Sequence, residues 1–162
     1  MPEFVMEGRD HAARAESEFV FGFIEAMFFT ETSHAFDSGD WFTEERRAAS
    51  EAGQADGELP GDVGYMDLHP DALDAIRRDC NTFWILNRDA LESACESDGY
   101  DMQRAGSDYW FTRNGHGVGF WDRDLGDVGD MLSDAATAAG EVHVWFGDHV
   151  EHGDAPFVHV DL

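Results

Sequence analysis

The chain contains no lysine: its ten basic residues are all arginines, set against 35 aspartates and glutamates, for a formal net charge of −25 with histidine neutral. So few cations argue against direct docking on a nucleic-acid backbone or an anionic membrane, because every phosphate contact needs a positive group to replace the counterion it releases. Cysteine is scarce as well. Cys80 and Cys95 form neither a CxxC pair nor a disulfide framework, so buried free thiols in a reducing compartment are expected. No uninterrupted apolar run reaches the length that a membrane-spanning helix needs. The acidic opening, MPEFVMEGRDHAARAESE, lacks the apolar stretch of a secretory signal. Walker loop, HExxH motif and nucleophile elbow are all missing, which removes the sequence signs of the commonest phosphate-binding, zinc-protease and hydrolase chemistries.

What is present is enough for a core. A length of 162 residues, 43% of them hydrophobic and 13% aromatic, reads as one domain over 1–162 that folds without metal or disulfide. Two physical explanations fit the acidity. Carboxylates hold hydration and keep a protein soluble at high salt, where screening within about 3 Å removes most self-repulsion. Alternatively, they imitate the phosphates of DNA and occupy the basic cleft of a DNA-binding protein. The absence of lysine favours the first, since a mimic has no need to eliminate lysine elsewhere.

Residues 1–15 read as a loosely held acidic arm. The segment 16–31, ESEFVFGFIEAMFFTE, places Phe19, Phe23, Ile24, Met27 and Phe28 at helical spacing, and Val20, Phe21 and Phe29 widen the apolar face until the helix should be nearly engulfed. A short helix is expected over 41–51, capped by Asp40, and a surface loop over 52–69. Pro70 opens the longest helix, in which Leu73, Ile76, Cys80, Phe83, Trp84, Leu91 and Cys95 keep a three-and-four rhythm to an end near Gly99. A small-residue helix over 126–140 and two alternating strands, 141–146 and 157–160, close the chain.

The most distinctive stretch is 107–123, SDYWFTRNGHGVGFWDR. Two aromatic, β-prone runs, 109–112 and 118–121, flank Arg113-Asn114-Gly115-His116-Gly117, an arrangement that predicts a β-hairpin turned on Asn114-Gly115. With it the fold class is α+β: a small antiparallel sheet, made of the hairpin plus the two C-terminal strands, packed against two or three helices. Of Trp110, Phe111, Phe120 and Trp121, alternation puts one pair against the helices and the other outside. Arg113, Asn114, His116, Trp121 and Arg123 are then the expected binding surface, since exposed tryptophan and arginine together mark a protein contact patch.

The same stretch holds an acid-base mixture, and His116 with Asp122 is the candidate catalytic pair. No second activating group stands at fixed spacing, so binding is preferred to catalysis. Gly115, Gly117 and Gly119 resemble a phosphate loop but lack a strand-to-helix context and a lysine. His143, His149, His152 and His159, with Asp148, Glu151 and Asp154, cluster near the end. Without cysteine in the set and on a loop, they make a poor zinc scaffold, and no metal or cofactor is assigned.

The block DYWFTRNGHGVGFWDRDLGDVGDML, together with FGFIEAMFF near the start and the helix around DCNTFW, resembles a family of short proteins from tailed phages, prophages and related viruses. In that family a YIEA-like apolar helix comes first, an aspartate-cysteine-aromatic helix follows and a TRNGHGxGFWDR-like block lies near the end. The likeness covers most of the chain but neither the arm nor 52–69. It implies a viral accessory protein and brings no activity with it; together with the residues above, the chain reads as a protein of the host cytoplasm that works by binding a host protein, with its acidity an adaptation to high salt. A DNA mimic that inhibits a basic host defence or DNA-processing protein, and a small enzyme using His116 and Asp122, are the other readings.

Overall fold

The structure is a computed structural model, and it describes residues 16–32, 59, 63–147 and 157–162. The arm 1–15, the helix expected over 41–51, most of the loop 52–69, and His149 and His152 lie outside the described residues.

Helix α1 (Glu18–Glu31) starts at Ser17, whose hydroxyl accepts the Val20 amide at 3.3 Å and satisfies one of the amides that a helix start leaves free. It is buried nearly all round, as its apolar composition demands. Helix α2 (Pro70–Leu86) has proline in its first turn and His69 as its cap, with Nδ1 of His69 accepting the Asp71 amide at 3.1 Å. Ala72, Ile76, Cys80 and Phe83 form its inward stripe. The single long helix expected to run to Gly99 breaks at Asn87 and restarts as α3 (Arg88–Ala94). The Asn87 amide donates to the Phe83 carbonyl at 2.9 Å, a local bond that competes with helix continuation.

The largest departure from the sequence expectation falls on 107–123. Helix α4 (Met102–Arg113) occupies its first half, capped by the Asp101 carboxylate, which accepts the Arg104 amide at 2.9 Å. Asn114 ends that helix and Gly115 follows at φ +65°, so the residues taken for a hairpin turn form a helix C-cap. Phe120–Asp122 is a short 3₁₀ turn in place of the second strand. Core packing decides the conformation: Tyr109 and Trp110 are fully buried, with Trp110 edge-on to Phe23 at 5.4 Å and Tyr109 stacked on Phe83 at 3.9 Å. A β-hairpin, with period two, would have sent one of these adjacent rings into solvent.

Helices α1 and α4 cross at two glycines. A Cβ on Gly22 would lie 1.9 Å from the Gln103 carbonyl oxygen, and one on Gly106 would lie 1.9 Å from that of Phe19. The Ser107 hydroxyl donates across the crossing to the Gly22 carbonyl at 3.0 Å.

Helix α5 (Asp127–Ala139) leads to strands β1 (His143–Gly147) and β2 (Phe157–Asp161), which pair antiparallel with Trp145 opposite His159. The fold is thus α+β as expected, with five helices and a two-stranded antiparallel sheet among the described residues. The sheet reaches α2 through the His69 amide, which donates to the Val158 carbonyl at 2.9 Å. Among the described residues no helix is long and apolar enough to cross a membrane.

Candidate functional site

Arg113, expected at an exposed tip, lies inside the protein with its side chain 1% accessible. All three nitrogens of its guanidinium donate. Nη1 donates to the Asp79 carboxylate and to the Tyr109 hydroxyl, Nε to the Gly140 carbonyl at 2.7 Å and Nη2 to the Ala139 carbonyl at 3.0 Å. The cation also lies 4.7 Å from the centroid of the Tyr109 ring. The arginine therefore closes the C-terminus of α5, where free carbonyls and the helix dipole favour a positive group.

Asn114 does comparable structural work. Its Nδ2 donates to the Trp110 carbonyl at 3.1 Å while its Oδ1 accepts the Val142 amide at 2.8 Å, tying the end of α4 to the approach of β1. Arg123 also points inward: its guanidinium holds the Asp108 carboxylate through Nε at 3.1 Å and Nη2 at 2.9 Å. Asp108 is wholly buried and accepts a third bond from the Tyr100 hydroxyl at 2.9 Å. Burial pushes its carboxyl above the ordinary value, with Arg123 and Tyr100 pulling the other way.

His116 stands at the surface, its Nε2 3.8 Å from the Glu31 carboxylate. Partial desolvation holds the imidazole below its usual pKa against the opposing charge of Glu141. Asp122 is exposed on the 3₁₀ turn, and among the described residues no hydrogen bond or ion pair joins it to His116. Trp121 is 55% exposed, while Trp110, Phe111 and Phe120 are all buried. Of the expected binding surface, Trp121 and His116 face solvent, Asn114 is half-buried in a cap, and the two arginines serve the interior.

The 3₁₀ turn is seated by Thr112, whose hydroxyl accepts the Phe120 amide at 3.2 Å. Gly119 allows this approach, since a Cβ there would meet the same hydroxyl at 2.1 Å. Sequence reasoning missed Asp79 and Asp108, the carboxylates that neutralise the inward arginines, and Tyr109 and Tyr100, the hydroxyls bonded beside them. The available signal was an aspartate within each inward helical stretch, next to Cys80 in α2 and between Ser107 and Tyr109 in α4.

Cys80 is buried and Cys95 half-buried, both as free thiols, and burial pushes each thiol above its ordinary pKa. In the sheet, His159 stacks on Trp145 at 4.0 Å and on His69 at 5.1 Å, whereas His143 is exposed. Among the described residues no three His, Cys, Asp or Glu side chains are grouped to hold a metal ion.

No family model, curated protein or solved structure matches the chain. The chemistry of the site therefore rests on its own residues. With Arg123 turned to Asp108, the outward side of 120–141 carries Asp122, Asp124, Asp127, Asp130, Asp134 and Glu141, all exposed, with no other base in that stretch. On α5 the spacing of Asp127, Asp130 and Asp134 sets them on one face over about 10 Å, opposite the buried Gly129, Leu132 and Ala136. Met131, 62% exposed, borders that row, and Trp121 stands on the turn that packs against α5.

Proposed function

We propose that the chain works by binding a basic protein surface with the face made by the 3₁₀ turn and α5. The observation that carries this reading is the inward turn of Arg113 and Arg123, which leaves exposed Trp121 and Met131 among unneutralised carboxylates. Such a face gains fast association and rejects anionic partners through its field, while a large exposed ring supplies the desolvated anchor. Taken with the resemblance to phage and prophage proteins, the partner is a host protein met in the host cytoplasm, and the row on α5 suits one that otherwise holds DNA phosphates. Acids elsewhere, such as Asp71, Asp74 and Asp89 on α2 and α3, serve hydration at high salt. Catalysis by His116 and Asp122 finds no support in their separation onto unconnected groups.

The test compares two triple variants of equal charge change, Asp127→Asn/Asp130→Asn/Asp134→Asn and Asp71→Asn/Asp89→Asn/Asp98→Asn, by calorimetric titration against a basic histone-like DNA-binding protein. The first should weaken binding about tenfold, at under 1 kcal/mol per exposed pair, and the second by less than about twofold. Trp121→Ala should weaken it by about tenfold or more, and duplex DNA should compete with the wild-type chain. Equal losses in the two triples would reduce the effect to net charge and sink the proposal.

A further inference from the structure

We infer that a cavity between the first turn of α1, the middle of α2 and the start of α4 is a binding site for a small, uncharged aromatic molecule. The cavity has a volume of about 380 Å³, within the range of ligand pockets and large enough for a one- or two-ring compound. It lies on other elements than the acidic face, so neither proposal depends on the other.

The walls define the ligand. Phe19, Val20 and Cys80 form a buried, fixed floor. Phe19 is held in place by Phe83, stacked at 6.0 Å, and by Tyr109 at 5.8 Å. Trp84 and Met102, both half-buried, make the sides. The Trp84 indole is steadied by the Arg88 guanidinium, 5.4 Å from its centroid, which is itself bonded to Glu92 at 3.0 Å. Two aromatic side chains, a thiol and a thioether make a polarisable lining, which favours a ring over an aliphatic chain of equal size.

Two neutral polar groups stand in this wall: Ser17, whose hydroxyl already accepts the Val20 amide at 3.3 Å, and Asn81, exposed on α2, whose amide can give or take a hydrogen bond. A carboxylate ligand is disfavoured by Glu18 at the rim and by the strongly negative chain. A cation is disfavoured because the largely apolar wall would strip its hydration, while the nearby Glu18 carboxylate is itself in solvent. An uncharged ring with a hydrogen-bonding group for Asn81 satisfies these surfaces.

The test titrates the full chain with indole, and with cyclohexanol as the non-aromatic control, by two-dimensional amide NMR at constant salt. Expected is saturable one-to-one binding of indole below about 1 mM, with shifts centred on residues 17–20, 80–84 and 102. Cyclohexanol should bind at least about fivefold more weakly. Met102→Trp, which fills the space, should abolish the effect. Asn81→Ala, at an exposed position that leaves the fold intact, should weaken it about fivefold, as loss of one neutral hydrogen bond does. The proposal fails if indole gives no saturable shifts, if shifts centre elsewhere, or if Asn81→Ala and a folded Met102→Trp both bind like wild type. Equal binding of indole and cyclohexanol would refute the aromatic assignment.

Discussion

Replacing Gly106 with alanine gives the most direct test of the packing that positions everything else. The added methyl would sit 1.9 Å from the Phe19 carbonyl oxygen, 2.8 Å from its carbon and 3.0 Å from the Phe23 amide nitrogen. All three are backbone atoms of α1 and cannot swing aside as a side chain would. Restoring an ordinary contact near 3.5 Å requires α1 and α4 to part by about 1.5 Å. That movement loosens the Ser107–Gly22 bond and the ring contacts of Phe19 and Phe23 with Tyr109 and Trp110. Overpacking of this kind costs about 3 kcal/mol or more, against about 1 kcal/mol gained from alanine's helix preference. The expected net loss is about 2 to 4 kcal/mol, a large part of the 5 to 15 kcal/mol typical of a domain. Urea unfolding followed by circular dichroism at fixed salt measures it. Gly22→Ala should behave alike, and the double variant should lose less than the sum, because both methyls force one separation. An unchanged or higher urea midpoint in Gly106→Ala would mean that helix preference wins and that the helices do not meet at these glycines.

Arg123→Ala leaves the fully buried Asp108 carboxylate with the Tyr100 hydroxyl alone, and thermal unfolding should show a loss of about 3 kcal/mol. The uncharged pair Asp108→Asn/Arg123→Met should recover part of it; no recovery would count against an electrostatic origin. His116 is held below its ordinary pKa by burial, against Glu141, so the folded state favours the neutral ring. Its contribution to stability is therefore full above about pH 6.5 and is lost as pH falls through its lowered folded value. His116→Gln should flatten that part of the pH–stability curve, and an imidazole NMR titration above the ordinary value would contradict the argument. Finally, the unfolding midpoint should rise between about 0.1 M and 1 M salt, as the screening length shrinks from about 10 Å to 3 Å around a chain of net charge −25; a flat response would remove self-repulsion as a factor.

Much of the helical frame was legible because its apolar period is strong. The span 16–31 anticipates α1 within two residues, and 126–140 brackets α5. Both closing strands fall within two residues of their expected bounds. The hairpin reading of 107–123 failed for a definable reason. Asn-Gly after a run of aromatics signals either a tight turn between strands or a helix C-cap, since both want a residue that tolerates positive φ. The deciding information lay upstream, in Asp101 as a cap and in Ala105-Gly106, small enough to let α4 lie against α1. Aromatic β-preference is a preference for half-buried pleated surface, and it yields where adjacent rings are both needed in a core. The break at Asn87 rests on one side-chain bond that periodicity does not register. For the same reason the expected surface divides: Arg113 and Arg123 look like recognition residues until the carboxylates waiting inside are located.

The two groups at the end of α4 have a bearing on how the protein comes into being. Arg113 and Asn114 close on the Ala139 and Gly140 carbonyls and the Val142 amide, which lie 26 to 28 residues further along. During synthesis at about 5 to 20 residues per second, roughly 1 to 6 seconds separate the first appearance of this helix end from that of its last companion. Throughout that interval a nascent chain carries a guanidinium whose final carbonyl acceptors do not yet exist. The bonds that join the end of α4 to α5 and to the approach of β1 can therefore close only after both have left the ribosome, whereas the partners of α4 on α1 are already made.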